Sequence, residues 1–191
     1  MKTLLKVIQL HKNETLLIKK ARANNREAQH VLYELHAPKM LSTCRYYIKD
    51  IQQAEEAMLN GFFKVFSNIK SFKSEGSFEG WIRRIMVRES ISFLRQQKNI
   101  EFAVETLPEV TNYNDEPISN LAVADIQQVI DALPEGYKMV FVMYAIEGYK
   151  HYEIAELLKI SEGTSKSQLF KARKMLQQKI KQLNKTSYGT N

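Results

Sequence analysis

The sequence predicts an all-α fold: two helical domains joined by a flexible linker, the C-terminal one a helix-turn-helix. Three observations predict it. Only 7 Gly and 4 Pro occur in 191 residues, while Leu, Ile, Lys, Gln, Glu and Ala are abundant, which favours helices over a turn-dense β fold. Apolar residues recur at three- and four-residue spacing on both sides of a stretch, 99–121, that lacks such a period. Near the C-terminus, two short helical patterns flank a three-residue turn. Hydrophobic residues make up 44% of the chain, enough for a packed core and against global disorder.

The elements follow in order. Asn13 is placed to cap a helix through about Ala23, and Asn25 to cap the next. Pro38 predicts a break, with a third helix over 39–50. Residues 52–70 carry Ala54, Ala57, Met58, Phe62, Val65, Phe66 and Ile69 on one face. Ser71–Ser77 (SFKSEGS) is a turn containing Gly76, and a helix follows over 78–98. Residues 99–121, with Pro108, Asn112, Asn114, Asp115 and Pro117, read as an acidic linker. Helical spacing resumes at Val123, Ile126, Ile130 and Leu133 and stops at Pro134. A helix from Glu135 ends at Gly148, and two more lie near 151–158 and 162–182, before a frayed tail over 186–191. The predicted domains are thus 1–98 and 122–185.

Charge sharpens this outline. The net charge is +7, but residues 101–135 carry eight acids and no Lys or Arg. Residues 83–98 hold Arg83, Arg84, Arg88, Arg95 and Lys98 against Glu89 alone, and residues 159–185 hold eight Lys or Arg against Glu162. Two basic blocks in two domains point to a polyanion such as DNA. At about 100° per residue, Arg84, Arg88, Ser92, Arg95 and Lys98 share one face of helix 78–98, a stripe suited to a phosphate backbone. Phe78, Trp81, Ile82, Ile85, Met86 and Phe93 span the other side, and Trp81 is expected in the core. Glu89 falls inside that apolar arc with no partner evident from the sequence.

Residues 148–176 read GYKHYEIAELLKISEGTSKSQLFKARKML. A helix His151–Leu158, the turn Lys159-Ile160-Ser161, and a second helix capped by Ser161 make the helix-turn-helix layout, whose second helix enters the major groove. Ser165, Leu169, Ala172 and Leu176 form its inner stripe, and Lys166, Ser167, Phe170, Lys171 and Lys174 its outer face. Lys and Ser donate to base edges or phosphates, and Phe contacts a thymine methyl. Thr164 and Gln168 are expected nearer the phosphates. Lys159 stands where such turns often have Gly, and Ser165 where a β-branched core residue is usual.

The chain also resembles the sigma-70 family of RNA polymerase sigma factors, in its extracytoplasmic-function (ECF) group, over about residues 15–180. The C-terminal resemblance lies in Leu133-Pro134, Val140-Phe141, Ile146-Glu147-Gly148, Glu153-Ile154-Ala155, Ile160-Ser161, Gly163-Thr164-Ser165-Lys166-Ser167 and Ala172-Arg173. The N-terminal resemblance lies in Ala54-Glu55-Glu56, Phe62-Phe63-Lys64-Val65-Phe66, Ser77-Phe78-Glu79-Gly80-Trp81-Ile82-Arg83-Arg84-Ile85 and Phe93-Leu94-Arg95. It implies that the first domain grips the clamp helices of the polymerase largest subunit and melts the minus-ten element. The second would read the minus-thirty-five element as duplex and touch the flap of the second-largest subunit. By the same resemblance, Glu56, Asn60 and Phe63 belong to the polymerase face, and the loop Phe72–Ser77 captures a flipped base, with Lys73 and Ser74 donating to its edge. An anti-sigma factor is a further partner it implies. Leu59 and Asn60 stand where the family often has Gln and an acid, and Arg88 and Ser92 where it usually has Asn and Asp.

Other classes fit less of the chain. A one-component helix-turn-helix regulator explains 123–182 but not the SFEGWIRRI segment with its arginine stripe. A purely protein-binding module leaves the basic groove-reading helix without a purpose. No phosphate-cradling glycine loop, nucleophile elbow or paired His on one helix face argues for an enzyme. His30, His36 and Cys44 match no usual zinc spacing, so neither metal nor cofactor is expected. The single cysteine, the lack of a cleavable leader pattern and the lack of a run of about 20 apolar residues lead to an expectation of a cytoplasmic protein with no membrane insertion.

Overall fold

A computed structural model describes residues 14–98 and 123–188. The predicted linker 99–121 and the cap Asn13 lie outside them. The chain divides into two compact units, Met1–Lys98 and Asn99–Asn191. Every described regular element is helical.

In the first unit, α1 covers 14–22, α2 Arg26–Tyr47, α3 Ile51–Ser67 and α4 Phe78–Lys98, with a 3-10 turn at Ile69–Ser71. Local chemistry sets the starts. Asn25 accepts from Ala28 N–H at 2.8 Å, Asp50 from Gln53 N–H at 2.9 Å, and Ser77 from Gly80 N–H at 3.0 Å. α2, α3 and α4 pack on one another around Leu32, Met40, Tyr47, Ala57, Met58, Val65, Ile82 and Met86.

The expected break at Pro38 does not occur, and α2 runs through it. Pro38 removes the hydrogen bond to the Glu34 carbonyl, but both residues lie on the exposed face, where water can replace it. Leu32, His36, Met40, Thr43, Cys44 and Tyr47 hold the opposite face in the core, and that packing outweighs the lost bond. His36 is buried but satisfied, 2.9 Å from Glu14. Glu89 finds its partner across the α3–α4 interface, in the Lys64 ammonium.

The second unit comprises α5 (Val123–Asp131), α6 (Glu135–Phe141), α7 (His151–Leu158) and α8 (Glu162–Tyr188). α6 passes into a π-helical turn at Val142–Ile146. That turn ends as Glu147 N–H donates to Val142 O and Tyr149 N–H to Met143 O, with Gly148 at φ +77 between them. α8 extends past the predicted end at 182, since no breaker occurs before Gly189. α5, α6 and α7 all pack against α8, and Val129, Leu133, Ala172 and Leu176 form a core cluster.

The helix-turn-helix is closed by two local devices. Lys159 takes the left-handed conformation, φ 58 and ψ 45, and Ile160 N–H reaches back to Ala155 O at 3.0 Å. An L-residue there costs about 1–2 kcal/mol. Ser165 is fully buried, and its hydroxyl lies 2.9 Å from His151 Nδ1 on α7. Tyr144 stacks on the same imidazole at 4.6 Å. The polar core residue is therefore satisfied by a histidine. Burial, with Lys166 and Arg173 nearby, lowers the His151 pKa below 6.5, against a smaller opposing pull from Glu162.

Two outcomes follow from this packing. A Cβ at Gly61 would stand 2.4 Å from the buried Met86 sulfur. Gly61→Ala gains about 0.5–1 kcal/mol of helix preference but incurs about 1–3 kcal/mol of overpacking, so a net loss near 1 kcal/mol is expected. Urea unfolding followed by the emission of Trp81, the one tryptophan of the chain, should show a lower midpoint at unchanged slope. A raised midpoint would mean that Met86 moves aside freely. For His151, the unfolded chain binds more protons once pH falls below about 6.5. Its contribution to stability is complete above that pH and is lost as pH falls towards the lower folded value. Between pH 8 and pH 5, thermal unfolding should lose more stability in the wild type than in His151→Gln; equal slopes would refute the coupling.

Candidate nucleic-acid interface

The first unit builds a cationic surface around the entry to α4. Arg22 of α1 fixes it from behind: its Nε donates to Ile69 O at 3.4 Å, its Nη2 donates to Phe72 O, and its guanidinium lies 5.9 Å from the Phe72 ring centroid. Phe72 is thereby anchored in the core, where it meets Phe78 at 5.1 Å and Trp81 at 5.5 Å. Between Phe72 and the Ser77 cap the chain turns outward, with Ser74 at φ 63 and Gly76 at φ 102. Nothing lies within 4 Å of where a Gly76 Cβ would stand, so the glycine serves the backbone conformation rather than a tight contact.

This turn walls an open cleft of about 350 Å³, lined among others by Lys73, Glu75, Gly76, Ser77, Trp81 and Arg84. Lys73, Ser74, Arg84 and Arg88 are exposed, while Ser92 and Arg95 are half-buried. α4 ends at Lys98, whose side chain lies outside the described residues. Trp81 departs from its expected place in the core. It sits at the edge of the apolar arc, stacked on Phe78 at 5.7 Å and 23°, and is half-buried as a wall of the cleft. Behind the stripe, Glu79 bonds Lys39 at 2.8 Å; that bond, and the charges of Lys39, His36 and Arg83, hold its pKa below 4.5 against the effect of burial.

On α3, Glu56, Asn60 and Phe63 are all exposed, Phe63 at 75%, with Leu59 at 51% beside them. A large aromatic left this open is unusual on a face that stays in water.

In the second unit the reading face differs from the sequence expectation. Lys166 is exposed and Phe170 half-buried. Lys171 is half-buried, with its Nζ 5.9 Å from the Tyr137 ring centroid. Thr164, Ser167 and Gln168 are buried, contrary to their expected places at the groove and the phosphates. The cause is local. Ser161 caps α8 by accepting from Thr164 N–H at 2.9 Å, and the two hydroxyls bond each other at 2.8 Å. Ser167 Oγ turns back to Thr164 O at 3.0 Å. With α5, α6 and α7 all packed against it, α8 has a wider buried arc than its Ser165–Leu169–Ala172–Leu176 stripe alone. The exposed arc instead holds Lys166, Arg173 and Lys174, with Arg173 5.8 Å from the Tyr144 ring centroid. Periodicity did not single out Arg173 or Arg22, because the aromatic partner of each, Tyr144 and Phe72, lies on another element.

Comparison with known proteins bears on both units. The family model for Sigma-70 region 2 matches residues 32–100, and that for Sigma-70, region 4 matches 124–176. The chain is 24% identical over 180 residues to an ECF RNA polymerase sigma-E factor of Haemophilus influenzae, covering 87% of this chain and 95% of that one. It is 25% identical over 179 residues to the ECF RNA polymerase sigma factor SigW of Bacillus subtilis, covering 87% and 96%. Among solved structures, the sigma factor RpoE of Bartonella quintana, in complex with the anti-sigma factor NepR, shares the fold at a TM-score of 0.54 and 18% identity, covering 80% of this chain and 96% of that one. CnrH, in complex with the cytosolic domain of CnrY, shares it at 0.51 and 18%, covering 87% and 96%. With both of the family's regions matched in order, and with ECF factors as its relatives along nearly their whole length, the chain belongs to the sigma-70 family of RNA polymerase sigma factors, in the ECF group.

Proposed function

We infer that this chain is an alternative sigma factor, which binds core RNA polymerase, recognises promoter DNA and initiates transcription. The observation that carries the residue-level reading is the cleft between the loop 72–77 and α4, with Trp81 as a wall and Arg84 at its edge. A base is read on its Watson–Crick edge only after leaving the stack, at a cost of a few kcal/mol. An aromatic wall returns about 1–3 kcal/mol per base, and cations beside it hold the backbone. Lys73, which lines the cleft, then reads the edge of the base together with Ser74, which is exposed on the same turn outside that lining, while Arg84, Arg88, Ser92, Arg95 and Lys98 follow the opened strand.

The other roles divide between the units. Glu56, Asn60 and Phe63 form the polymerase face, where an exposed aromatic between polar groups suits a protein partner. Lys166, Phe170 and Lys171, joined by Arg173 and Lys174, read the upstream duplex. Sigma factors work by binding rather than by bond chemistry, so no catalytic group is assigned. We place the chain in the cytoplasm, where promoter and polymerase meet; no described helix is long and apolar enough to cross a membrane. Of the two similar structures, one holds the anti-sigma factor NepR and the other the cytosolic domain of CnrY, and we assign a partner of the anti-sigma class to this chain as well.

Transcription from a promoter library by core polymerase, with and without the chain, tests the function directly: promoter-specific transcripts should require it. The cleft is tested by replacing Lys73–Gly76 with a Gly/Ser turn of equal length, keeping the Ser77 cap. Activity should fall on a closed promoter and partly recover on one opened by mismatches, with polymerase binding intact; equal activity on both would remove the loop from melting. In the second unit, Lys166→Ala should weaken duplex binding by about 1–3 kcal/mol if the lysine reads a base, or reduce the salt slope by about one if it holds a phosphate. Ser167→Ala, at a buried position, should leave DNA affinity unchanged.

A further inference from the structure

The cationic face of the second unit surrounds a group that titrates near neutrality. His151, the one histidine of residues 99–191, begins α7 and is half-buried. Its neighbours come from two other elements. From α8, Ser165 Oγ lies 2.9 Å from Nδ1, and the charges of Lys166, Arg173 and Glu162 act on the ring. From the π-helical turn, Tyr144 stacks on it with centroids 4.6 Å apart. The same Tyr144 ring lies 5.8 Å from the Arg173 guanidinium. Glu162 is shared, since Lys166 stands 4.0 Å from its carboxylate. On α7 itself, Glu153 turns to the helix start, where its Oε2 accepts from Lys150 N–H at 2.8 Å.

The imidazole can take up a proton in place. The Ser165 hydroxyl donates to a bare Nδ1 or accepts from Nδ1–H, so that bond holds in either charge state. The face of the Tyr144 ring also attracts a cation, so the stack holds as well. What opposes the charge is burial first, and then Lys166 and Arg173, with Glu162 pulling the other way. Burial is set by the fold. The effect of the two cations is not, because both lie on the exposed arc of α8, where the duplex is read. A phosphate that neutralises either one removes its repulsion of an imidazolium and adds an attraction of its own. Duplex and proton then favour each other, and linkage makes the preference mutual.

We propose that duplex binding by the second unit takes up a proton at His151, so that its affinity for DNA rises as pH falls from the neutral range. Acid then acts in opposite directions on folding and on binding: the free unit loses stability as the ring charges, while the bound unit holds its duplex more tightly. This coupling rests on Lys166 and Arg173 facing the duplex, as assigned above.

The test uses holoenzyme assembled from core polymerase and the full chain, with a duplex promoter drawn from the library. Affinity is measured at pH 8 and pH 6 for the wild type and for His151→Gln, whose amide can still meet Ser165 but does not titrate. Over that interval the wild type should gain about threefold in affinity relative to the variant, within the limit of about tenfold per pH unit for uptake of one whole proton. Thermal unfolding at both pH values keeps folding and binding apart. Equal pH dependence in the two proteins would overturn the coupling, as would a wild-type affinity that falls with acid relative to the variant. Calorimetry adds a measurement that needs no variant. At pH 6.5, binding heats in two buffers of different ionisation enthalpy should reveal net proton uptake; none, or net release, would overturn the proposal. Lys166→Ala and Arg173→Gln separate the coupling from the reading beneath it. If each lowers the salt slope by about one while His151→Gln leaves the pH dependence unchanged, the duplex face stands and the coupling fails. If neither changes the affinity or the salt slope, the duplex face itself fails.

Discussion

The cationic face of the first unit depends on where Arg22 puts its guanidinium. The chain leaves α3 through a short 3-10 turn and must reach the start of α4 across a loop with no ladder of its own. Two carbonyls on that path, of Ile69 and Phe72, receive their hydrogen bonds from one planar fork on α1. A buried carbonyl left unmet would cost about 1–3 kcal/mol, and the rigid guanidinium fork meets both with donors already set in one plane. With those atoms fixed, the Phe72 ring is set; with Phe72 set, Phe78 and Trp81 stack against it in a single arrangement. The exposed turn is then strung between two fixed points, Phe72 and the Ser77 cap, and its two positive-φ residues close the span. The cleft walled by Trp81 is a by-product of that anchoring.

Much of this was legible in the sequence, because the signals were local. The caps at Asn25 and Ser161, the spacing of core residues on α3 and α8, and the glycine-like place of Lys159 in its turn each follow from chemistry within a few residues. What stayed hidden depended on distant partners. Glu89 looked misplaced on α4 because Lys64 belongs to another helix. Pro38 looked like a break because the strength of the packing beneath it is a tertiary property. Ser167 was placed in the groove, and Thr164 and Gln168 near the phosphates, because a helical wheel assumes one packed side, whereas α8 receives three helices. Arg173 was missed for the converse reason: its aromatic support, Tyr144, lies in the π-helical turn after α6.

The two units solve the problem of presenting cations differently. On α4 the arginines form a long stripe opposite the core, so the helix offers a track with little local shape. On α8 much of the circumference is buried, and two of its cations are supported by rings, Lys171 by Tyr137 and Arg173 by Tyr144. A supported cation loses less side-chain entropy when it meets its target than a freely rotating one. The first arrangement suits a flexible strand that adapts to the protein, the second a rigid groove to which the protein must conform.

The bond between Ser165 and His151 reaches beyond the stability of one domain. The buried hydroxyl of Ser165 is tolerable in the core of the helix-turn-helix because the half-buried His151 meets it. A lineage that replaced Ser165 with a β-branched apolar residue would strand the imidazole, and one that lost His151 first would strand the hydroxyl. Either single step passes through a form less fit than both ends, so the two positions should be inherited together. Close relatives of this chain are expected to carry both residues or neither, and a homologue with only one of them would mark a lineage caught between two ways of closing the same turn.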